Sequence, residues 1–267
     1  MLSIIVLIKQ VPDIGNVIFD RNKGRIDRAS AVAEINPFDL NALEAALQIK
    51  EECGGTITAL SMGPPSAEIT VRDALSRGAD RGILLSDAEY AGADTLATSY
   101  ALACAIRKSG VFDLIICGEK TVDGDTGQVG PELAEHLSIP HVTYVSNVKI
   151  SGQRLTLTSE MDSLIWIEAV FPLLITVTKD INKPRLPALS AKLRARKAEI
   201  EIWKAIHLSD FGDKEKFGLA GSPTKVHRIV VPKNEERKGL VFRNRTNEAV
   251  EIIVQSLFEH KLLGRRK

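Results

Sequence analysis

The chain opens with Leu2-Ser3-Ile4-Ile5-Val6-Leu7-Ile8, a run of strand length that is apolar at nearly every position. A strand with one face in water would alternate apolar and polar residues. Continuous β-branched and apolar runs are typical of strands whose two faces are both covered by helices. The opening stretch therefore predicts a parallel sheet inside an α/β protein.

Strands and helices then alternate along the chain. Further buried strands are predicted over residues 56–62, 81–86 and 112–118. Helices are predicted from Asn36-Pro37 to Cys53, from about Ile69 to Gly78, and from an Asp94 cap through Ile106. This alternation predicts a mostly parallel, helix-covered sheet, and a small hairpin is expected over residues 16–28.

The pattern changes after Pro140. Strand-like pieces over 141–150, 154–159, 163–171 and 173–179, separated by short turns, predict an antiparallel extension of the sheet. We expect one nucleotide-binding α/β domain over residues 1–203 and an extended C-terminal arm over 204–267, with a short helix near 248–257. Residues 180–197 are proline-punctuated and basic, which indicates either a solvated surface or a partner-docking loop.

Composition excludes several classes of protein. The 267 residues are 44% hydrophobic and 26% charged, and Lys+Arg 35 against Asp+Glu 34 leaves a net charge of +1. Neither nucleic acid nor anionic lipid would be attracted by the overall charge. No apolar run reaches the roughly 18 residues that span a bilayer. Three widely spaced cysteines argue against a disulfide framework, so we expect a cytoplasmic protein without membrane insertion.

One glycine-rich stretch could carry a ligand. It reads Gly118-Glu119-Lys120-Thr121-Val122-Asp123-Gly124-Asp125-Thr126-Gly127-Gln128-Val129-Gly130-Pro131 and lies between a buried strand and a helical run. Glycines allow close approach of main-chain N–H groups to phosphate, whereas Asp123 and Asp125 would repel it. Glycine, Asp and Thr also accumulate in ligand-free turns. Neither a P-loop nor a Rossmann GxGxxG pattern is present, so the residues alone leave both interpretations open.

Other candidates are weaker. The turn Met62-Gly63-Pro64-Pro65 ends the second strand and would face the same cleft, or simply be a stiff turn. His136 and His141 have no further ligand at metal-binding spacing, so no metal is expected. Cys117 is interpreted as a buried, inert thiol, and no catalytic triad is supported.

Five motifs together resemble one family. In chain order they are Ile8-Lys9-Gln10-Val11-Pro12-Asp13, Asn36-Pro37-Phe38-Asp39-Leu40-Asn41-Ala42-Leu43-Glu44, Met62-Gly63-Pro64-Pro65, Arg77-Gly78-Ala79-Asp80-Arg81 and Asp123–Pro131. This series, from the first strand to about residue 203, resembles the beta subunit of electron transfer flavoprotein.

The resemblance implies a heterodimer with an alpha subunit that carries a redox FAD on a mobile domain, with the C-terminal arm packing on that subunit. It also implies an adenine nucleotide in the beta subunit. The cofactor-binding residues that the family pattern implies by position are Ile8, Lys9, Asn36, Asp39, Met62, Gly63, Asp123, Gly124, Asp125, Thr126, Gly127, Gln128 and Val129.

Two lineages of the family differ in that nucleotide. One holds structural AMP; the other holds FAD and performs electron bifurcation, with a loop that usually reads Asp-Gly-Asp-Thr-Ala-Gln-Val-Gly-Pro. This chain matches the second form except at Gly127. We therefore expect FAD, with NADH as electron donor and a low-potential acceptor such as ferredoxin. The alternatives are a conventional AMP-containing carrier and a non-redox, stress-type module that binds ATP or AMP.

The resemblance also implies a docking partner. In the family, a leucine from a loop of this subunit inserts into an apolar pocket of an acyl-CoA dehydrogenase. Leu189 matches that leucine by position, although Ser190 stands where the family has proline. The chain is thus expected to be an electron-carrier subunit in which the cofactor supplies the redox chemistry and no side chain is catalytic.

Overall fold

The fold is organised around a nine-stranded sheet. We describe it from a computed structural model, which covers residues 1–12, 33–224, 240 and 242–262, together with the backbone of 19–20 and 25–26. The strands are β1 (Leu2–Leu7), β2 (Gln10–Pro12), β3 (Phe19–Asp20), β4 (Arg25–Ile26), β5 (Ala33–Ile35), β6 (Gly55–Met62), β7 (Arg81–Leu85), β8 (Leu114–Gly118), β9 (His141–Ser151), β10 (Arg154–Glu160), β11 (Leu164–Val170), β12 (Leu173–Val177) and β13 (Glu201–Trp203). The helices are α1 (Pro37–Cys53), α2 (Glu68–Arg77), α3 (Thr95–Ser109), α4 (Val129–Leu137), α5 (Leu189–Ala195) and α6 (Thr246–Glu259).

The order of strands across the sheet is β11-β10-β9-β12-β8-β1-β6-β7-β13. All neighbours from β9 to β13 in this order are parallel, whereas β10 is antiparallel to both β9 and β11. The predicted α/β class and the mostly parallel sheet are confirmed.

Helices cover both faces of the sheet. Ile4 and Val6 of β1 pack into one core with residues of α1 and α2, while Ile5 and Leu7 pack into a second core with α3 and α4. Both sets of β1 side chains are buried, as the unbroken apolar run at the start of the chain predicts.

The predicted antiparallel extension needs one correction. The prediction placed four pieces after Pro140 in it, but the last piece, β12, lies between β8 and β9 and is parallel to both. Every residue of β12 is buried. Its continuous apolar sequence, Leu173-Leu174-Ile175-Thr176-Val177, is therefore that of a central parallel strand, and only β9, β10 and β11 form the antiparallel part.

Helix ends follow their sequence signals. Helix α1 begins at Pro37 after Asn36 and ends at Cys53, followed by Gly54 with φ of 72°. Asp94 caps α3, since its Oδ1 accepts a hydrogen bond of 3.0 Å from the N–H of Ala97. The expected hairpin over 16–28 is described only at β3 and β4, which pair antiparallel; its turn lies outside the described residues.

The chain divides into two compact units, Met1–Lys225 and Val226–Lys267. The first unit extends beyond residue 203, because Leu208 and Phe217 are buried in the core on the α3 side of the sheet. The second unit contains α6, which spans the helical pattern seen at 248–257. Among the described residues, no helix is long and apolar enough to cross a membrane.

Close packing between α1 and the end of β8 gives a first prediction. A Cβ on Gly118 would lie 2.6 Å from Asp39 Oδ1 and 2.8 Å from the backbone carbon of Phe38. Gly118→Ala should lower the free energy of unfolding by about 1–3 kcal/mol in urea titrations. In the control Gly124→Ala the nearest atom is Thr121 Oγ1 at 3.4 Å, so its loss should stay within about 0.5 kcal/mol. Equal losses in the two variants would contradict this packing.

Candidate functional site

A cleft of about 420 Å³ opens at the carboxyl ends of the parallel strands. Strand β1 lies between β6 and β8. Along the chain, β6 and β7 are added on one side of β1 and β8 is then added on the other side, so the order of strands reverses at β1. Such a switch point leaves a crevice between the loops, where ligands of open α/β sheets bind. Leu7, Met62 and Gly118 carry the ends of β1, β6 and β8 to the cleft.

The loop between β8 and α4, residues 119–128, forms one wall. A turn closes inside it, because the N–H of Asp125 donates to the carbonyl of Thr121 at 2.8 Å. Asn36 holds the loop from the side: its Nδ2 donates to the carbonyl of Lys120 at 2.9 Å, and its Oδ1 accepts from the N–H of Val122 at 3.2 Å. The Asn36 side chain thus fixes the loop, and it makes no capping hydrogen bond to α1.

The end of this loop presents main-chain donors. Within the described part of the chain, the N–H groups of residues 126–130 donate no hydrogen bond. Gly127 has φ of 64°, a backbone conformation that favours glycine. Helix α4 starts at Val129, so its positive end adds to these donors. The arrangement suits an anionic ligand, above all phosphate.

Two ion pairs offset the acidic residues of the loop. Lys9 Nζ lies 2.8 Å from the carboxylate of Asp123, and Lys120 Nζ lies 2.9 Å from that of Asp125. Partial burial of Asp123 tends to raise its pKa, but the pKa is lowered overall, with the hydrogen bond from Lys9 as the main opposing cause. Asp123 and Asp125 would repel a phosphate, and the neighbouring lysines therefore reduce this repulsion.

Asp39 joins the two strands at the base of the cleft. Its Oδ2 accepts a 2.8 Å hydrogen bond from the N–H of Lys9, after β1, and its Oδ1 accepts one of 3.1 Å from the N–H of Gly118, at the end of β8. Burial raises the pKa of this carboxyl from 3.8 to about 7, although these hydrogen bonds and one with Asn36 oppose the rise.

The opposite wall was missed in the sequence analysis. It consists of the loop after β7 and the start of α3, and includes Gly92, Asp94 and Thr95. Thr95 Oγ1 donates to Glu132 Oε1 of α4 at 3.1 Å, so the two helix starts are linked. The sequence does carry a signal for this wall, because Asp94 caps a helix that directly follows a parallel strand.

The structure brings most of the thirteen proposed binding residues to this one cleft. Those that line it are Ile8, Lys9, Asp39, Met62, Gly124, Thr126, Gly127, Gln128 and Val129. Asn36 and Asp123 act on the lining through the bonds given above, and Asp125 pairs with Lys120. Gly63 lies outside the lining, and its N–H donates to the carbonyl of Leu85 at 3.0 Å.

Other sequence candidates lie elsewhere. Leu189 is at the start of α5, with 74% of its surface exposed, and does not line the cleft. Burial raises the pKa of the Cys117 thiol, and Cys117 is among the residues that line the cleft. The described residues contain no cluster of three or more His, Cys, Asp or Glu suited to a metal ion.

Comparison with known proteins identifies relatives over nearly the whole chain. The family model described as "Electron transfer flavoprotein domain" matches residues 23–208. The chain is 45% identical to the electron transfer flavoprotein subunit beta of Thermoanaerobacterium thermosaccharolyticum, over 96% of this chain and 98% of that one. It is 38% identical to the acryloyl-CoA reductase electron transfer subunit gamma of Anaerotignum propionicum, over 98% and 100%. It is also 38% identical to the caffeyl-CoA reductase-Etf complex subunit CarD of Acetobacterium woodii, over 98% and 100%.

The raised pKa of Asp39 gives a second prediction. Between pH 3.8 and about 7 the folded chain keeps a proton on Asp39 that the unfolded chain has released. The contribution of Asp39 to stability must therefore fall as pH rises through this window. Urea titrations at several pH values should show the free energy of unfolding of the wild type, minus that of Asp39→Asn, decreasing up to about pH 7 and then levelling off.

Asp123→Asn is the control for this pH series. Its wild-type carboxyl has a lowered pKa, so the same difference should rise with pH across the acidic range. A difference for Asp39 that stays constant, or that rises between pH 5 and 7, would contradict the assignment.

Proposed function

The chain belongs to the electron transfer flavoprotein family as a beta subunit, and from this premise we propose that its cleft binds FAD and takes part in electron bifurcation. The observation that carries the proposal is the row of N–H groups at residues 126–130, beside the start of α4, which donate to no described residue. A diphosphate bears more charge than a single phosphate, and several adjacent donors match it better.

Two parts of the cleft would bind different parts of the ligand. Residues 126–130 would receive the diphosphate, while the apolar side chains of Ile8, Leu60 and Met62 on the cleft lining would contact the flat parts of the ligand. Asp39 would hold the ends of β1 and β8 at a fixed separation beneath it. No residue of the chain needs to transfer a proton or form a bond, since FAD, when bound in the cleft, would supply the redox chemistry.

The family and the exposed apolar surface support the proposed partners. Beta subunits of this family pair with an alpha subunit. On α6, Val250, Ile253, Val254 and Phe258 are exposed at helical spacing, and on the edge strand β11 Trp166 is 72% exposed. Exposed apolar surface of this kind is typical of protein interfaces. We propose that the alpha subunit packs on the C-terminal arm that contains α6.

The electron route is also part of the proposal. The names of the Anaerotignum and Acetobacterium relatives associate them with acyl-CoA-type reductases, and we propose an acyl-CoA dehydrogenase as one acceptor. NADH would be the donor and a low-potential carrier such as ferredoxin the second acceptor.

The cysteines Cys53, Cys104 and Cys117 are unpaired, which agrees with a cytoplasmic location.

Counting cofactors tests the proposal directly. The purified heterodimer should release two FAD molecules per complex, identified by mass and by absorbance after denaturation. One flavin together with one AMP would instead establish the conventional carrier and contradict bifurcation. The stress-type module is set aside by the family match, and would give a colourless protein without an alpha subunit.

The cradle itself can be tested with a matched pair of glycines. Gly127 and Gly152 have nearly the same φ, 64° and 61°, but Gly152 lies in the turn between β9 and β10, where a Cβ would meet no described atom within 4 Å. Gly127→Val should reduce nucleotide occupancy of the beta subunit about tenfold or more, because the N–H groups lose their alignment. Gly152→Val should carry similar backbone strain and keep full occupancy. Full occupancy in both variants would contradict binding by these amides.

A further inference from the structure

Residues 180–198, the docking segment, present an unusual surface. Leu186 and Leu189 are 88% and 74% exposed, and Leu193 is half exposed. Five exposed cations of the segment form no ion pair with any described residue: Lys183, Lys192, Arg194, Arg196 and Lys197. Exposed leucines within a basic surround fit a protein partner with an apolar pocket ringed by carboxylates.

A segment of this kind would not hold its shape unaided. Residues 180–188 form neither helix nor strand, and α5 has only seven residues. Short helices are marginal in water, and an extended loop loses conformational entropy when it becomes ordered. Contacts from elsewhere in the fold must therefore fix it.

Arg185 fastens the beginning of the segment to α1. Its Nε lies 2.9 Å from Glu44 Oε2, and its Nη1 and Nη2 donate to Glu51, which lies further along the same helix. The backbone N–H of Arg185 donates to Glu44 as well, at 3.0 Å. Glu44 is only 5% exposed. The hydrogen bonds that Arg185 donates to Glu51 and Glu44 raise the pKa of its guanidinium, so the fork that binds both carboxylates stays charged.

Arg72 of α2 fastens the other end. Its Nη1 donates to the carbonyls of Ala195, Arg196 and Ala198, at 2.8, 3.1 and 3.0 Å. These carbonyls belong to the end of α5 and the residues after it, where the helical hydrogen bonds end. The carbonyl of Ala195 also accepts a hydrogen bond of 3.3 Å from the N–H of Ala198. Glu68 orients the guanidinium through bonds of 2.9 Å from Nε and 2.6 Å from Nη2.

Both ends of the segment are thus held by arginines, while its leucines face solvent. We propose that Arg72 and Arg185 are positioning residues, which keep the docking segment in its binding conformation before the partner arrives. The segment then loses its conformational entropy when the protein folds, so this loss does not weaken binding of the partner. The inference rests on the further proposal that Leu189 of this segment docks the acyl-CoA dehydrogenase, and it assigns roles to two residues that do not themselves touch the partner.

The test uses the purified heterodimer and the segment's own trypsin sites. Cleavage after Lys192 and Arg194, followed by mass spectrometry, reports opening of the segment without any partner. Arg72→Ala is the main variant. It removes the partner of Glu68, which is partly exposed, whereas a change at Arg185 would leave the buried carboxylate of Glu44 without its partner. It should speed cleavage about tenfold, and should raise KM for an added acyl-CoA dehydrogenase by a similar factor at unchanged kcat.

A second variant guards against misfolding. Glu51 is largely exposed, so Glu51→Gln should leave the core intact and give a smaller increase in both cleavage rate and KM. Arg154→Ala is the control, because the exposed Arg154 makes no side-chain bond to any described residue and lies at the start of β10. It should change neither quantity.

Leu189→Ala separates this inference from the docking function. It should raise KM without faster cleavage, because it removes a contact and leaves the arginines in place. If Leu189→Ala leaves KM unchanged, the docking function fails. If Leu189→Ala raises KM but Arg72→Ala changes neither cleavage nor KM, or speeds cleavage alone, the positioning role is overturned while docking stands.

Discussion

The carboxylate of Asp39 is the interaction on which the site depends. It accepts N–H groups from Lys9 and Gly118, and so joins the ends of β1 and β8 at the point where the strand order of the sheet reverses. A buried carboxyl is costly unless such donors satisfy it. Gly118 has no room for a side chain because Asp39 and Phe38 fill that space. The cleft therefore has a fixed floor, from which the glycine loop rises.

Two functional segments are held in the same way, by side chains that bond to main-chain groups. Asn36 bonds to the backbone of the glycine loop at Lys120 and Val122, and Arg72 bonds to three carbonyls of the docking segment. In the glycine loop, the N–H groups of residues 126–130 donate to no described residue. In the docking segment, Leu186 and Leu189 are exposed. Loops fixed from below can present ligands or partners with little further ordering.

Local pattern was enough to predict much of this structure. The buried strands, the start of α1 and the Asp94 cap follow from apolar runs and capping residues, because these depend on near neighbours in sequence. The place of β12 beside β8, and the pairing of Lys9 with Asp123, 114 residues later, depend on contacts that no local pattern records. The same holds for the wall that includes Thr95, since its position follows from the order of strands.

The most direct measurement of the central claim is hydrogen exchange at residues 126–130 in the heterodimer, with and without FAD. The N–H of Asp125, bonded to Thr121, serves as the internal reference. If these amides hold a diphosphate, FAD should slow their exchange strongly and AMP less, while Asp125 changes little. Exchange at 126–130 that is the same with and without FAD would contradict the account.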